Sequence, residues 1–128
     1  MTIARWEQPN FNEQGMTKWG WMCLYHKNLL LGKNTDIGAF TLINAINGVE
    51  IEDNVQIGSH CSLYSLSTID NKKGKITIKE DAKIGTHSVI MPGVTIGKNS
   101  VIGAFSFVNK DVPDNVIAYG IPARIINA

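Results

Sequence analysis

Cysteine is nearly missing from this sequence. Only Cys23 and Cys61 occur, with no CxxC pair and none of the dense spacing of secreted scaffolds, so neither a disulfide framework nor a zinc ribbon organises the chain. A Cys23–Cys61 bridge stays open on sequence grounds. Two buried thiols in a reducing compartment is the reading adopted. An excess of one charge is also missing: 12 Lys and Arg against 11 Asp and Glu leave a net charge of +1. That supplies neither the basic surface that nucleic acid requires nor an acidic solvating tail. No hydrophobic run approaches a membrane span, and Met1 to Gln8 lacks an apolar signal-peptide core. The expectation is a cytoplasmic protein without a membrane span or a nucleic-acid partner. What remains, 128 residues with 44% hydrophobic and 18% charged side chains, suits one folded domain rather than a disordered segment.

The residues that are present repeat. Aliphatic side chains recur every six positions at Leu31 and Ile37, at Ile51, Ile57 and Leu63, and without a break at Ile78, Ile84, Ile90, Ile96, Ile102 and Val108. Glycine follows many of them directly, as at Gly32, Gly38, Gly58, Gly85, Gly97 and Gly103. A helix needs spacings of three and four. Six is a multiple of the strand period of two, so the recurrent positions share one face of extended chain. A meander would lose phase at each hairpin turn. The fold expected is therefore all-β, a parallel β-helix of hexapeptide repeats, three hexads to a coil. In most hexads the fourth residue tolerates positive φ, being Asn34, Asn54, His60, Asp81, His87, Gly93, Asn99 or Asp111, as the corners of a triangular coil require.

The pattern slips once, where the step from Ile43 to Ile51 is eight across Asn47-Gly48, and stops in three further places. Residues 1–28 lack the hexad but hold Trp6, Trp19, Trp21 and Tyr25, and are read as a cap on the open solenoid end, with aromatic stacking on a ligand as the second reading. Residues 29–112 form the β-helix, interrupted at about 65–75 by a segment containing Asp70-Asn71-Lys72-Lys73-Gly74 that leaves the coil. Residues 113–128 form a C-terminal tail, in which Pro113 and Pro122 are expected to end regular pairing.

The run Ile84-Gly-Thr-His-Ser-Val-Ile-Met-Pro-Gly-Val-Thr-Ile-Gly97, the element Asn109-Lys-Asp-Val-Pro113 and the element Gly120-Ile-Pro-Ala-Arg124 resemble the hexapeptide-repeat acyltransferase superfamily, which includes xenobiotic, galactoside and nucleotide-sugar acetyltransferases. The resemblance covers about Leu31 to Ile126 and implies a left-handed helix, a homotrimer with sites between subunits, and acetyl-CoA as acyl donor without a metal. It implies that Thr86 and Ala104 offer backbone groups to the pantetheine arm, that Asn109 and Lys110 lie further along it, and that Arg124 meets a CoA phosphate. A fixed cation suits a phosphate; solvated surface charge is the plain alternative for Lys110 and Arg124.

One departure bears on mechanism. Relatives place a general-base histidine at the start of the excursion, where base catalysis contributes about 10²–10⁴-fold. Here that stretch reads Leu63-Tyr-Ser-Leu-Ser-Thr-Ile-Asp70, with no histidine. His60, nearest in sequence, is the expected catalytic residue, although its corner position already explains it. His87 is read as a corner residue and His26 as part of the cap. Asp70 is expected to orient a base or hold an acceptor amine, and Asn44 to bind the acceptor. Alternatively, an amino sugar arriving unprotonated attacks by positioning alone. That departure favours a nucleotide-linked amino sugar in surface-polysaccharide biosynthesis over O-acetylation of a sugar or xenobiotic hydroxyl. Two rivals are a zinc carbonic anhydrase of β-helical type, disfavoured because the three histidines are far apart, and a non-enzymatic scaffold.

Overall fold

The computed structural model describes residues 5–127 and shows a left-handed parallel β-helix. The first coil is β1 (Met22–Leu24), β2 (Leu29–Leu31) and β3 (Asp36–Ile37); the second is β4 (Leu42–Asn44), β5 (Val49–Ile51) and β6 (Gln56–Ile57). The third opens with β7 (Ser62–Tyr64), leaves as a hairpin of β8 (Leu66–Ser67) and β9 (Lys72–Lys73), and resumes at β10 (Ile76–Ile78) and β11 (Lys83–Ile84). The fourth is β12 (Val89–Ile90), β13 (Thr95–Ile96) and β14 (Val101–Ile102). The fifth is β15 (Phe107–Val108), a single bridge from Val112 to Ile96, and β16 (Ile117–Gly120), on which β17 (Ala123–Asn127) folds back antiparallel. Face one stacks β1-β4-β7-β12-β15, face two β2-β5-β10-β13, and face three β3-β6-β11-β14-β16-β17.

The inward columns follow the repeat. Ile43, Leu63, Ile90 and Val108 line face one, Ile51, Ile78 and Ile96 face two, and Ile37, Ile57, Ile84 and Ile102 face three, all buried. Burial stabilises the fold by about 1.5–3 kcal/mol for each such side chain. The glycine that follows each aliphatic of face three has a steric cause. A Cβ on Gly38, Gly58 or Gly85 would stand 2.4, 2.7 or 2.5 Å from the backbone nitrogen of Ser59, Thr86 or Ala104 in the next coil.

The corners match the expected rule with exceptions. Asn34, Asn54, His60, Asp81, His87, Gly93 and Asn99 have positive φ, and so do Phe40 (67°) and Phe105 (60°), which the rule did not include. Asp111 is not left-handed; where face two thins to one bridge, its carboxylate instead accepts the Thr95 N–H at 2.8 Å. The ends also differ from their reading. The coil begins at β1, inside the segment 1–28, because Met22, Cys23 and Leu24 pair with Leu42, Ile43 and Asn44. Pro113 does not end pairing, since β16 continues face three beside β14. Ahead of β1, Phe11 packs edge-on against buried Trp21 and stacks on His26, while the Trp6 indole donates to Thr35 O at 3.0 Å.

Cys23 and Cys61 are buried and unpaired. Burial pushes the Cys23 thiol up to about 12 and raises that of Cys61, whose upward shift is opposed by bonds from the backbone of Ser88 and His87 and from Thr41. The unfolded chain starts to lose the Cys23 proton near 9.0 while the folded chain keeps it. Stability is therefore expected to decline from about pH 9.0 towards pH 12, and Cys23→Ala to flatten part of that slope in urea midpoints. Gly85→Ala should lower the midpoint at any pH, by about 1–3 kcal/mol of overpacking.

Candidate active site

Where face three turns into face one, four successive coils carry the same local sequence: Ile37-Gly-Ala-Phe40, Ile57-Gly-Ser-His60, Ile84-Gly-Thr-His87 and Ile102-Gly-Ala-Phe105. Each aromatic residue takes left-handed φ, and its N–H donates to a carbonyl one coil back: Phe40 to Gly20, His60 to Ala39, His87 to Ser59 and Phe105 to Thr86, at 2.8–3.1 Å. The shared geometry stacks the four rings in one column on the outside of this edge. Centroids are 4.9 Å apart for Phe40–His60, 4.7 Å for His60–His87 and 4.8 Å for His87–Phe105, the last two pairs within 9° of parallel.

Behind the rings, on the inside of the same corner, runs a buried polar column. The Thr41 hydroxyl donates to Gly58 O (2.9 Å), the Cys61 thiol to Gly85 O (3.2 Å) and the Ser88 hydroxyl to Gly103 O (3.2 Å). These bonds tie each coil to the next and satisfy donors that would otherwise be costly to bury. Cys61 is a hydroxyl equivalent in this column, which accounts for its burial.

The sequence-predicted residues fall on two edges. Thr86 and Ala104 stand with His60 on the three-to-one edge. Thr86 O accepts the Phe105 N–H. Among the described residues, no protein group pairs with the Thr86 N–H or with either backbone group of Ala104. Asn44 and the pair Asn109 and Lys110 lie on the one-to-two edge, three coils apart, and Asp70 is in the hairpin that leaves that edge. Asn44 ends β4 beside Tyr64, just where the hairpin departs, and its side-chain oxygen accepts the Ile46 N–H at 3.2 Å. Asp70 is exposed in the hairpin turn, and Asn109 and Lys110 are exposed after β15. Within one chain, His60 precedes β7 and Asp70 lies in the hairpin that follows it, and no hydrogen bond joins the two among the described residues. Arg124 is exposed on β17, paired with Tyr119.

The histidines do not converge on a common point. His26 lies against Phe11, while His60 and His87 meet ring face to ring face. Among the described residues, no three His, Cys, Asp or Glu side chains are grouped to hold a metal ion, and no helix is long and apolar enough to cross a membrane. Phe40, Phe105 and the Thr86 hydroxyl were missed as members of this edge. The repeated Ile-Gly-x-aromatic string was the available signal.

The family model "Bacterial transferase hexapeptide (six repeats)" matches residues 75–110. The galactoside O-acetyltransferase of Escherichia coli (strain K12) is 41% identical over 111 residues, 80% of this chain and 55% of that protein. The dTDP-3-amino-3,6-dideoxy-alpha-D-galactopyranose 3-N-acetyltransferase of Aneurinibacillus thermoaerophilus is 48% identical over 52 residues, 41% of this chain and 27% of that one. Among solved structures, a hexapeptide-repeat acetyltransferase of Vibrio cholerae in complex with acetyl-CoA superposes with a TM-score of 0.80 at 32% identity, over 84% of this chain and 64% of that one. The chain spans about half the length of the curated relatives it matches.

Proposed function

We propose that the chain is a member of the hexapeptide-repeat acyltransferase superfamily to which it is similar, and that it transfers an acetyl group from acetyl-CoA to a sugar, with a nucleotide-linked amino sugar as the acceptor. The observation that carries this reading is the line of unused backbone groups at Thr86 N–H and at Ala104 N–H and C=O. They sit one coil apart on an exposed edge, and an amide-rich pantetheine arm has the donors and acceptors to pair with them. Lys110 and Arg124 are exposed cations that would take the phosphates at the far end of the same molecule, with Asn109 beside Lys110. Similarity to a dTDP-amino-sugar N-acetyltransferase supports the amine acceptor. So does the excursion without a histidine, because an uncharged amine is a better nucleophile than a sugar hydroxyl.

The split of the expected residues over two edges supports a homotrimer with sites between subunits. A three-to-one edge from one protomer facing a one-to-two edge from the next would set Thr86, Ala104 and His60 opposite Asn44 and Asp70. In that arrangement Asn44 and Asp70 contact the acceptor. The working place is the cytoplasm and the pathway surface-polysaccharide assembly. A second reading, O-acetylation of a sugar hydroxyl, is favoured by the likeness to a galactoside O-acetyltransferase.

Thiol release from acetyl-CoA, measured against nucleotide amino sugars, free amino sugars and galactosides, tests both readings. Turnover is expected with the first group; turnover confined to galactosides moves the assignment to O-acetylation, and none with any acceptor overturns acetyl transfer. Arg124→Ala is expected to raise KM for acetyl-CoA by about 10-fold or more, the scale of a lost hydrogen bond to a charged group, with kcat little changed. An unchanged KM would remove Arg124 from the donor site.

A further inference from the structure

Thr86 holds three polar contacts through one hydroxyl. Its Oγ1 lies 2.8 Å from Ser59 O, 3.2 Å from Ser59 Oγ and 2.9 Å from His87 Nδ1. A threonine hydroxyl has one proton to give and two lone pairs to receive with. A carbonyl oxygen can only accept, so the Thr86 proton goes to Ser59 O. The remaining contacts must then donate to Thr86: Ser59 Oγ–H supplies one and His87 Nδ1–H the other. This accounting leaves no vacancy on Oγ1. It also fixes the imidazole as the tautomer protonated on Nδ1, so Nε2 carries an unshared pair. Both faces of the ring are covered, by His60 and by Phe105, and the Nδ1 edge is held by Thr86. Yet His87 is exposed, and the edge left to solvent is the one bearing Nε2.

We propose that His87 is the general base of the acetyl transfer and that Thr86 is its positioning residue; this rests on the acetyl-transfer reading. The arrangement is particular to one coil. The ring in the preceding coil, His60, follows Ser59, whose hydroxyl is directed to Thr86 instead. The aromatic residues of the outer two coils follow Ala39 and Ala104, which have no hydroxyl. His87 also adjoins the Thr86 N–H assigned above to the donor arm. In the reaction the acceptor nitrogen or oxygen bonds to the thioester carbonyl carbon while its proton passes to Nε2. The carbon–sulfur bond then breaks with its electron pair on sulfur, and His87 returns the proton to give the free thiol and the acetylated acceptor. While protonated, the ring lies 4.8 Å from the Phe105 centroid, within the range, about 6 Å, at which a cation is attracted to an aromatic face. His60 on the other face is the titratable neighbour.

The ladder supplies its own control. Phenylalanine already occupies this corner at Phe40 and Phe105, so His87→Phe keeps the stack and the left-handed turn while deleting the base. It is expected to lower kcat by about 10²–10⁴-fold, to remove the acid limb of the pH profile of kcat/KM, and to leave KM for acetyl-CoA little changed. If His87→Phe does not fold, His87→Asn, which also accepts this φ, takes its place. A loss under about tenfold, or an equal loss in His60→Phe, overturns the assignment. Long-range proton–nitrogen spectra of the whole protein should show the His87 proton on Nδ1, shifting in Thr86→Val and restored in Thr86→Ser; a proton on Nε2 in the wild type overturns the proposal. A wild type that acetylates no acceptor overturns acetyl transfer and the base together, whereas an active enzyme indifferent to His87→Phe overturns the base alone.

Discussion

Successive coils lie so close at the three-to-one edge that a Cβ on Gly85 would stand 2.5 Å from the Ala104 nitrogen. That approach is the constraint on which the remaining architecture depends. Close approach lets the strands of successive coils pair in parallel, which satisfies most of the backbone of the three faces. It sets the inward aliphatics in vertical columns of close-packed side chains. It also forces whatever projects from a corner to repeat at the same interval. The 4.7–4.9 Å ring spacings of the aromatic column are the strand spacing carried outward to the surface.

An edge made this way is well suited to hold chemistry in place. The rings of His60 and His87 cannot tip independently, because each is clamped between neighbours and rooted in a left-handed residue whose N–H is bonded one coil back. The polar column on the inner side, Thr41, Cys61 and Ser88, fastens the same corner from within. A side chain on such a scaffold pays little further entropy to be ordered when a reactant arrives. Coil stacking thus also supplies pre-organisation at the site.

Much of the fold was legible because its period is short and its cause local. Ile78 to Val108 keep phase without interruption, and the corner asparagines announce positive φ by their own conformational preference. The exceptions show where locality ends. Phe40 and Phe105 have poor intrinsic preference for the left-handed region, and adopt it because stacking on the histidines between them offsets the cost. Asp111 has a good preference and does not use it, because its carboxylate finds the Thr95 N–H. β1 was invisible as a strand of the helix because Trp21-Met22-Cys23 carries no Ile-Gly signature, although Cys23 fills the same inner position as Ile43. The site was less legible than the fold. Residues up to 27 positions apart, such as Ser59 and Thr86, meet only once the coil length is known, and the role of the Thr86 hydroxyl follows from three contacts that no motif encodes.

The hairpin of β8 and β9 leaves and re-enters the helix without disturbing it. Ile78 still pairs with Ile51 before the excursion's coil and with Ile96 after it. Register in this molecule is therefore restored by stacking rather than carried by chain length. The length and composition of that hairpin are free variables, open to insertion, deletion or exchange while core and corners stay unchanged. Whatever the hairpin touches can therefore change at little cost to stability, and one loop can be grafted for another on the same scaffold.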